Sequence, residues 1–206
     1  MEENNGLYLY EFHQYLKPNI ERILSLPGLK IETVIEIGVF QGYFTLNMTG
    51  MMAPSNPKYT HYAIDPFNTS EDLDDDVIAE AEKCFVSNLE NFPYSKNIIW
   101  HKDTSIDSLI DIAYQRMEAD LIYIDGAHTA DVVLQDLVLS WNILKNGGVI
   151  LCDDSCGSWM YKDKNGFKPV QKSPRLAVEN FIQCYWDKIE IIDLPNNWQT
   201  AFRKRV

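Results

Sequence analysis

The chain has 206 residues, enough for one domain with a full core. Apolar residues make up 46% and charged residues 23%, ordinary globular values that exclude disordered, collagenous and coiled-coil chains. Lys and Arg number 18 against 30 Asp and Glu, and a net charge of −12 provides no basic surface for nucleic acid or an anionic membrane. No run approaches the ~18–20 apolar residues of a membrane span. The acidic start lacks the basic-then-apolar pattern of a secretion signal, so a cytoplasmic location is expected. Cys84, Cys152, Cys156 and Cys184 form no CxxC pair and are expected to be buried reduced thiols.

Strand and helix patterns alternate along the whole chain. An N-terminal helical segment fills residues 1–28, with its helix over 7–26 stopped by Pro27-Gly28. Residues 33–37 form a short apolar run followed by glycines, as a buried parallel strand requires. A helix to Met52 and a strand over 61–64 come next. The acidic stretch 71–76 opens a helix running to Asn91, where carboxylates oppose the helix dipole. A strand over 97–100, a helix over 106–117 and a strand over 121–124 follow. Helix 129–145 carries Val133, Leu134, Leu137, Val138, Trp141 and Leu144 at helical spacing, and Asn146-Gly147-Gly148 stops it. After a strand over 149–152 come a helix over 174–185 and strands over 188–194 and 199–205, the last two joined at Pro195-Asn-Asn197. Alternation of this kind implies right-handed βαβ units and a mostly parallel sheet. The short final turn forces one antiparallel strand.

Ligands of open α/β sheets bind at the C-terminal ends of the strands, and the chemistry-bearing residues collect there. The first strand ends in Glu36-x-Gly38-x-x-x-Gly42. The glycines permit a tight turn and close approach of a ligand to the backbone. A buried carboxylate at Glu36 would repel a pyrophosphate and welcome an amino group or a sulfonium, and the motif departs from the dinucleotide fingerprint. Asp65, at the end of the second strand, stands where a nucleotide-binding fold places its ribose acid. After the third strand, Asp103 or Thr104 meets an adenine edge, or Thr104 caps the next helix. The fourth strand ends at Asp125-Gly126-Ala127-His128 and the fifth at Asp153-Asp154. Carboxylates on adjacent strand ends need a positive partner. A divalent cation supplies one, Mg²⁺ first and Mn²⁺ or Ca²⁺ as alternatives; otherwise one Asp caps a helix and another is solvated. His128 is either a general base or a helix-start residue. The other three histidines have no evident partner.

Taken in order, Glu36-x-Gly38-x-x-x-Gly42, Asp65-Pro66-Phe67, Ile124-Asp125-Gly126-Ala-His128, Asp136-Leu137, Leu144-Lys-Asn-Gly147-Gly148 and Asp153-Asp154 resemble the class I S-adenosylmethionine-dependent methyltransferases. The nearest likeness is to the macrocin-type (methyltransferase domain 24-like) O-methyltransferase branch, with the catechol type more distant. The resemblance spans residues 30–155. It implies an α/β, Rossmann-like three-layer sandwich with a seven-stranded sheet in the order 3-2-1-4-5-7-6, strand 7 antiparallel.

It further implies S-adenosyl-L-methionine as cofactor, with Glu36, Gly38, Gly42, Asp65, Asp103, Thr104 and Asp125 around it. Asp125, Asp153 and Asp154 match the metal-ligand positions, and His128 and Asp125 are the candidate catalytic residues. The partner implied is a small hydroxylated acceptor, sugar-like or natural-product-like; a metal-free enzyme on another acceptor and a non-catalytic cofactor-binding module are the alternatives. Where macrocin-type enzymes carry a second acid this chain has Ala127, and where catechol-type enzymes carry a lysine it has His128. Residues 155–172, with Trp159, Met160, Tyr161 and Phe167, form an acceptor lid or a packed surface loop. Tyr8, Tyr10 and His13 either wall the pocket or seat the first helix. The single domain, 1–206, leaves its oligomeric state open, a homodimer included.

Overall fold

The structure, a computed structural model, describes residues 13–68, 73–155 and 173–205. The expectations for Tyr8, Tyr10, the His13 side chain and the 156–172 part of the lid lie outside them. Seven strands form one sheet: β1 (Thr33–Ile37), β2 (Thr60–Ile64), β3 (Ile98–His101), β4 (Ala119–Ile124), β5 (Leu144–Cys152), β6 (Ile189–Ile192) and β7 (Thr200–Lys204). Their order is 3-2-1-4-5-7-6. The first five strands pair in parallel, and β7 runs antiparallel to both neighbours, as the short turn between β6 and β7 demands. All six residues of β4 are buried, the pattern of a central strand covered on both faces.

The strand period of two divides the core between two faces. Ile35, Ile37, Ile122, Ile124 and Ile150 pack against α4 (Ser105–Tyr114), α5 (Ala130–Ile143) and α6 (Pro174–Cys184). Val34, Leu121, Tyr123, Val149 and Leu151 pack against α1 (His13–Leu24) and α2 (Tyr43–Met52). α3 (Asp75–Asn91) covers the far end of the second face, where Phe85 meets Val39 and Ala63. Strand order reverses between β1 and β4, so a cleft opens at their C-terminal ends.

The structure departs from the sequence reading at the end of α5. The helix stops at Ile143, and Asn146-Gly147-Gly148 lie inside β5. Gly147, at φ +81°, sits where the β4–β5 register shifts, and its carbonyl accepts from Arg203 Nε at 2.8 Å. The stop is supplied from a distance: Lys204 Nζ donates to the carbonyls of Trp141 and Leu144 at 2.9 and 2.8 Å. The expected apolar stripe also divides. Val133, Leu137, Trp141 and Leu144 are core, whereas Leu134 and Val138 are exposed. Cys84 and Cys152 are buried as expected, but Cys184, at the last position of α6, is exposed.

Candidate active site

The cleft encloses about 1620 Å³. Its floor is the turn after β1. Gly38 adopts φ +86°, and a Cβ there would lie 2.1 Å from the Asp125 carbonyl oxygen, so only glycine lets β1 and β4 end side by side. Gly42, at φ +83°, precedes α2; a Cβ there would strike the Phe85 ring at 2.5 Å. Gly38 lines the cleft directly. Gly42 stands outside the lining and lets α3 pack against the turn.

Asp65, at the end of β2, ties this turn down. Its Oδ2 accepts from the backbone N–H of Val39 at 2.8 Å and of Phe40 at 3.0 Å, and its Oδ1 accepts from Phe67 N–H at 2.8 Å. Phe40 and Phe67 sit at φ +51° and +47°, conformations that aromatic residues rarely adopt. One carboxylate therefore holds both strained residues while it lines the cleft. Glu36 lines it too, with Oε2 accepting from Thr45 Oγ1. Burial pushes its carboxyl up, and the bonds from His61 and Thr45 pull it back.

Thr104 lines the cleft and caps α4 as well: Oγ1 accepts from Asp107 N–H at 3.2 Å. Asp103 stays outside the lining, with Oδ1 on the Thr104 N–H at 2.8 Å.

Opposite the glycine turn, the ends of β4 and β5 gather the acids. Asp125, His128 and Asp154 each offer one ligand atom, and these atoms lie within 4.8 Å of one another. His128 Nε2 is 3.3 Å from Asp154 Oδ2, and Asp154 reaches this position at φ +50°. Asp153, the remaining expected ligand, also lines the cleft, but both its oxygens are engaged by the protein. Its Oδ2 accepts from the Tyr123 hydroxyl and from Gln199 Nε2, the latter at 2.8 Å, and its Oδ1 accepts from Asp154 N–H at 2.8 Å.

The Tyr123 oxygen also lies 3.0 Å from Asp125 Oδ2, so one hydroxyl sits between two acids and shares its single proton with them. Burial and these two negative neighbours hold its hydroxyl well above the ordinary tyrosine range and keep the proton on it. Burial raises the Asp125 carboxyl strongly, and Asp153 and Asp154 raise it further.

Sequence reasoning missed Tyr123, Gln199 and His61. Tyr123 had a usable signal, being two residues before Asp125, which directly follows the same strand. Gln199 had none, since 46 residues separate it from Asp153. His61 is fully buried against Glu36 rather than unpartnered.

A sheet of this order, with a glycine turn and strand-end acids at its point of reversal, defines a Rossmann-like class I methyltransferase. A family model described as "Methyltransferase domain" matches residues 35–155, and the chain belongs to that family as an S-adenosylmethionine-dependent methyltransferase. Solved structures share the fold. The O-methyltransferase TomG from Streptomyces achromogenes, a tomaymycin-synthesis enzyme in complex with SAM, is 14% identical at a TM-score of 0.64; the match covers 100% of this chain and 92% of that one. An O-methyltransferase from Bacillus cereus in complex with SAH is 14% identical at 0.62, covering 99% and 93%. CalS11, a TDP-rhamnose 3′-O-methyltransferase of calicheamicin biosynthesis, is 14% identical at 0.60, covering 96% and 81%. No curated protein matches the chain. Among the described residues, no helix is long and apolar enough to cross a membrane.

Proposed function

We propose that this chain is a metal-assisted O-methyltransferase acting on a small hydroxylated acceptor. The observation that carries the reading is the convergence of Asp125, His128 and Asp154 beside the Gly38 turn. Two carboxylates and an imidazole are a donor set that fits a divalent cation, Mg²⁺ or Mn²⁺, and a cation would offset both the burial and the repulsion that raise Asp125. A cation so held would lower the pKa of the acceptor hydroxyl, while the cofactor supplies the methyl group. Asp153 then supports the site from within the lining: with Tyr123 and Gln199 it orients Asp125 and the β5 turn.

The protein's other tasks are alignment and exclusion of water. Glu36 fits the cofactor's amino group, Asp65 its ribose, and Thr104 and Ser105 flank the space for adenine. The cleft exceeds the ~300–1,000 Å³ of a single-ligand pocket, leaving room for an acceptor beside the cofactor. Phe40, Leu134, Leu176 and Trp198 give that room an apolar wall. Six carboxylates and, among the described residues, no Lys or Arg line the cleft, which favours an uncharged acceptor over an anionic one.

Calorimetric titration with S-adenosylhomocysteine, followed by methyl-transfer assays on sugar and catechol-like alcohols with Mg²⁺, Mn²⁺ or EDTA, tests this reading. Turnover that EDTA abolishes and Mg²⁺ or Mn²⁺ restores is the expected result. Turnover indifferent to EDTA would refute the metal, and absence of cofactor binding would refute the site.

A further inference from the structure

Glu36 is a charged side chain only 1% exposed on an otherwise apolar strand, a placement that is costly unless the group is held. Two side chains hold it, and both act on the same oxygen. Thr45 Oγ1 donates to Oε2 at 2.5 Å, and His61 Nε2 lies 2.8 Å from that atom. His61 is fully buried, and its Nδ1 lies 3.0 Å from the Tyr59 hydroxyl. With its proton on Nε2, a neutral imidazole donates to Glu36 and accepts from Tyr59, so one tautomer satisfies both contacts.

The β1–β2 register pairs Val34 with His61 and Glu36 with Ala63, which sets His61 one pleat behind Glu36 on the same face. Phe44 closes the imidazole in from the side, edge-on at 5.7 Å. Oε2 is thus committed to the protein, and among the described residues none holds Oε1, which is left for a ligand in the cleft that Glu36 lines. Nothing in the methyl-transfer chemistry needs a histidine at this depth.

We propose that His61 is a positioning residue for the cofactor: through Oε2 it fixes Glu36 so that Oε1 meets the α-ammonium group of the methionine moiety. This rests on the reading of Glu36 as the acid that faces that moiety. The contact also counters the effect of burial on Glu36 and so favours the ionised form that an ammonium group requires.

The test is the ratio of two affinities. S-adenosylhomocysteine carries the ammonium group. 5′-Methylthioadenosine keeps the adenosine and the sulfur but lacks the amino-acid end. Both are titrated calorimetrically into the wild type, His61→Phe and Tyr59→Phe. His61→Phe is expected to weaken S-adenosylhomocysteine about 10- to 100-fold, as loss of a hydrogen bond to a charged group does. Its affinity for 5′-methylthioadenosine should stay within about twofold.

Tyr59→Phe leaves the Glu36 contact but releases the tautomer, and a smaller loss confined to S-adenosylhomocysteine is expected. It carries the test alone if His61→Phe does not fold. Equal losses for both ligands, or no loss for either, would overturn the proposal, because the imidazole would then support the pocket as a whole or nothing in it. A wild type that binds 5′-methylthioadenosine as tightly as S-adenosylhomocysteine would instead overturn the reading of Glu36 itself.

Discussion

Replacing Asp136 by asparagine probes the packing of α4 on α5. Asp136 is fully buried, and among the described residues its carboxylate has no well-formed hydrogen bond, only the nearby side chain of Ser105. Burial pushes its carboxyl from 3.8 up to about 6, and Ser105 in the first turn of α4 offsets only part of that. The native state therefore holds a proton that the unfolded chain releases. Its stabilising contribution is complete below pH 3.8 and is lost as pH rises through about 6. At about 1.36 kcal/mol per pKa unit, the displacement corresponds to about 3 kcal/mol, a large share of a domain's ~5–15 kcal/mol.

Asp136→Asn removes the charge and keeps the shape. Variant and wild type should unfold alike near pH 4, and the variant should be the more stable by about 3 kcal/mol at pH 8. In a chain of this size that is about 6–12 °C in Tm. Urea unfolding at a series of pH values, with thermal melts alongside, reads the difference directly and cancels the titration of every other group. A gap that does not change with pH, or a variant less stable at pH 8, would refute the reasoning and mean that the carboxylate is compensated in the native protein.

Gly38→Ala drives a Cβ into the Asp125 carbonyl at a positive φ; it should cost more than ~1 kcal/mol in urea unfolding and abolish S-adenosylhomocysteine binding by calorimetry. Asp154→Asn and His128→Ala should each weaken Mn²⁺ binding at least about tenfold, and Asp153→Asn should weaken it less. The opposite ranking would restore Asp153 as the ligand. Tyr123→Phe removes the hydroxyl that sits between Asp125 and Asp153, and should lower stability by about 1–3 kcal/mol without metal. Added Mn²⁺ should recover part of that loss in a thermal melt, and no recovery would argue against a cation between these acids.

The elements themselves were legible because their signals are local. Residues 33–37 form a strand between turn residues as the pattern predicts, and β2, β3 and β4 fall within two residues of their expected ends. The motif order also led to the sheet topology. Helix ends were less exact. α3 begins at Asp75, late in the acidic stretch 71–76, and α4 stops at Tyr114 rather than 117. The end of α5 turned on Lys204, which caps the helix from β7 some sixty positions away. An Asn-Gly-Gly run reads as a helix stop because glycine permits both a C-cap and a bulge. Which of the two forms is decided by the strand beside it.

The site divides in the same way. The sequence alone determined where the cleft would form, because chemistry concentrates at strand ends and each strand end is marked by its own glycine or aspartate. It included Gly42 and Asp103, which stand outside the lining, and passed over Tyr123 and Gln199, which belong to it. Tertiary structure decided which of the strand-end residues act together. Asp125, Asp153 and Asp154 are alike in sequence, but Tyr123 and Gln199 engage the Asp153 carboxylate and His128 stands beside the other two. Glu36 and His61 look unrelated until the β1–β2 register sets them on one face. Periodicity is a property of neighbours along the chain, whereas the partner of a buried polar group is fixed by register, topology and the need to satisfy every lone pair away from water.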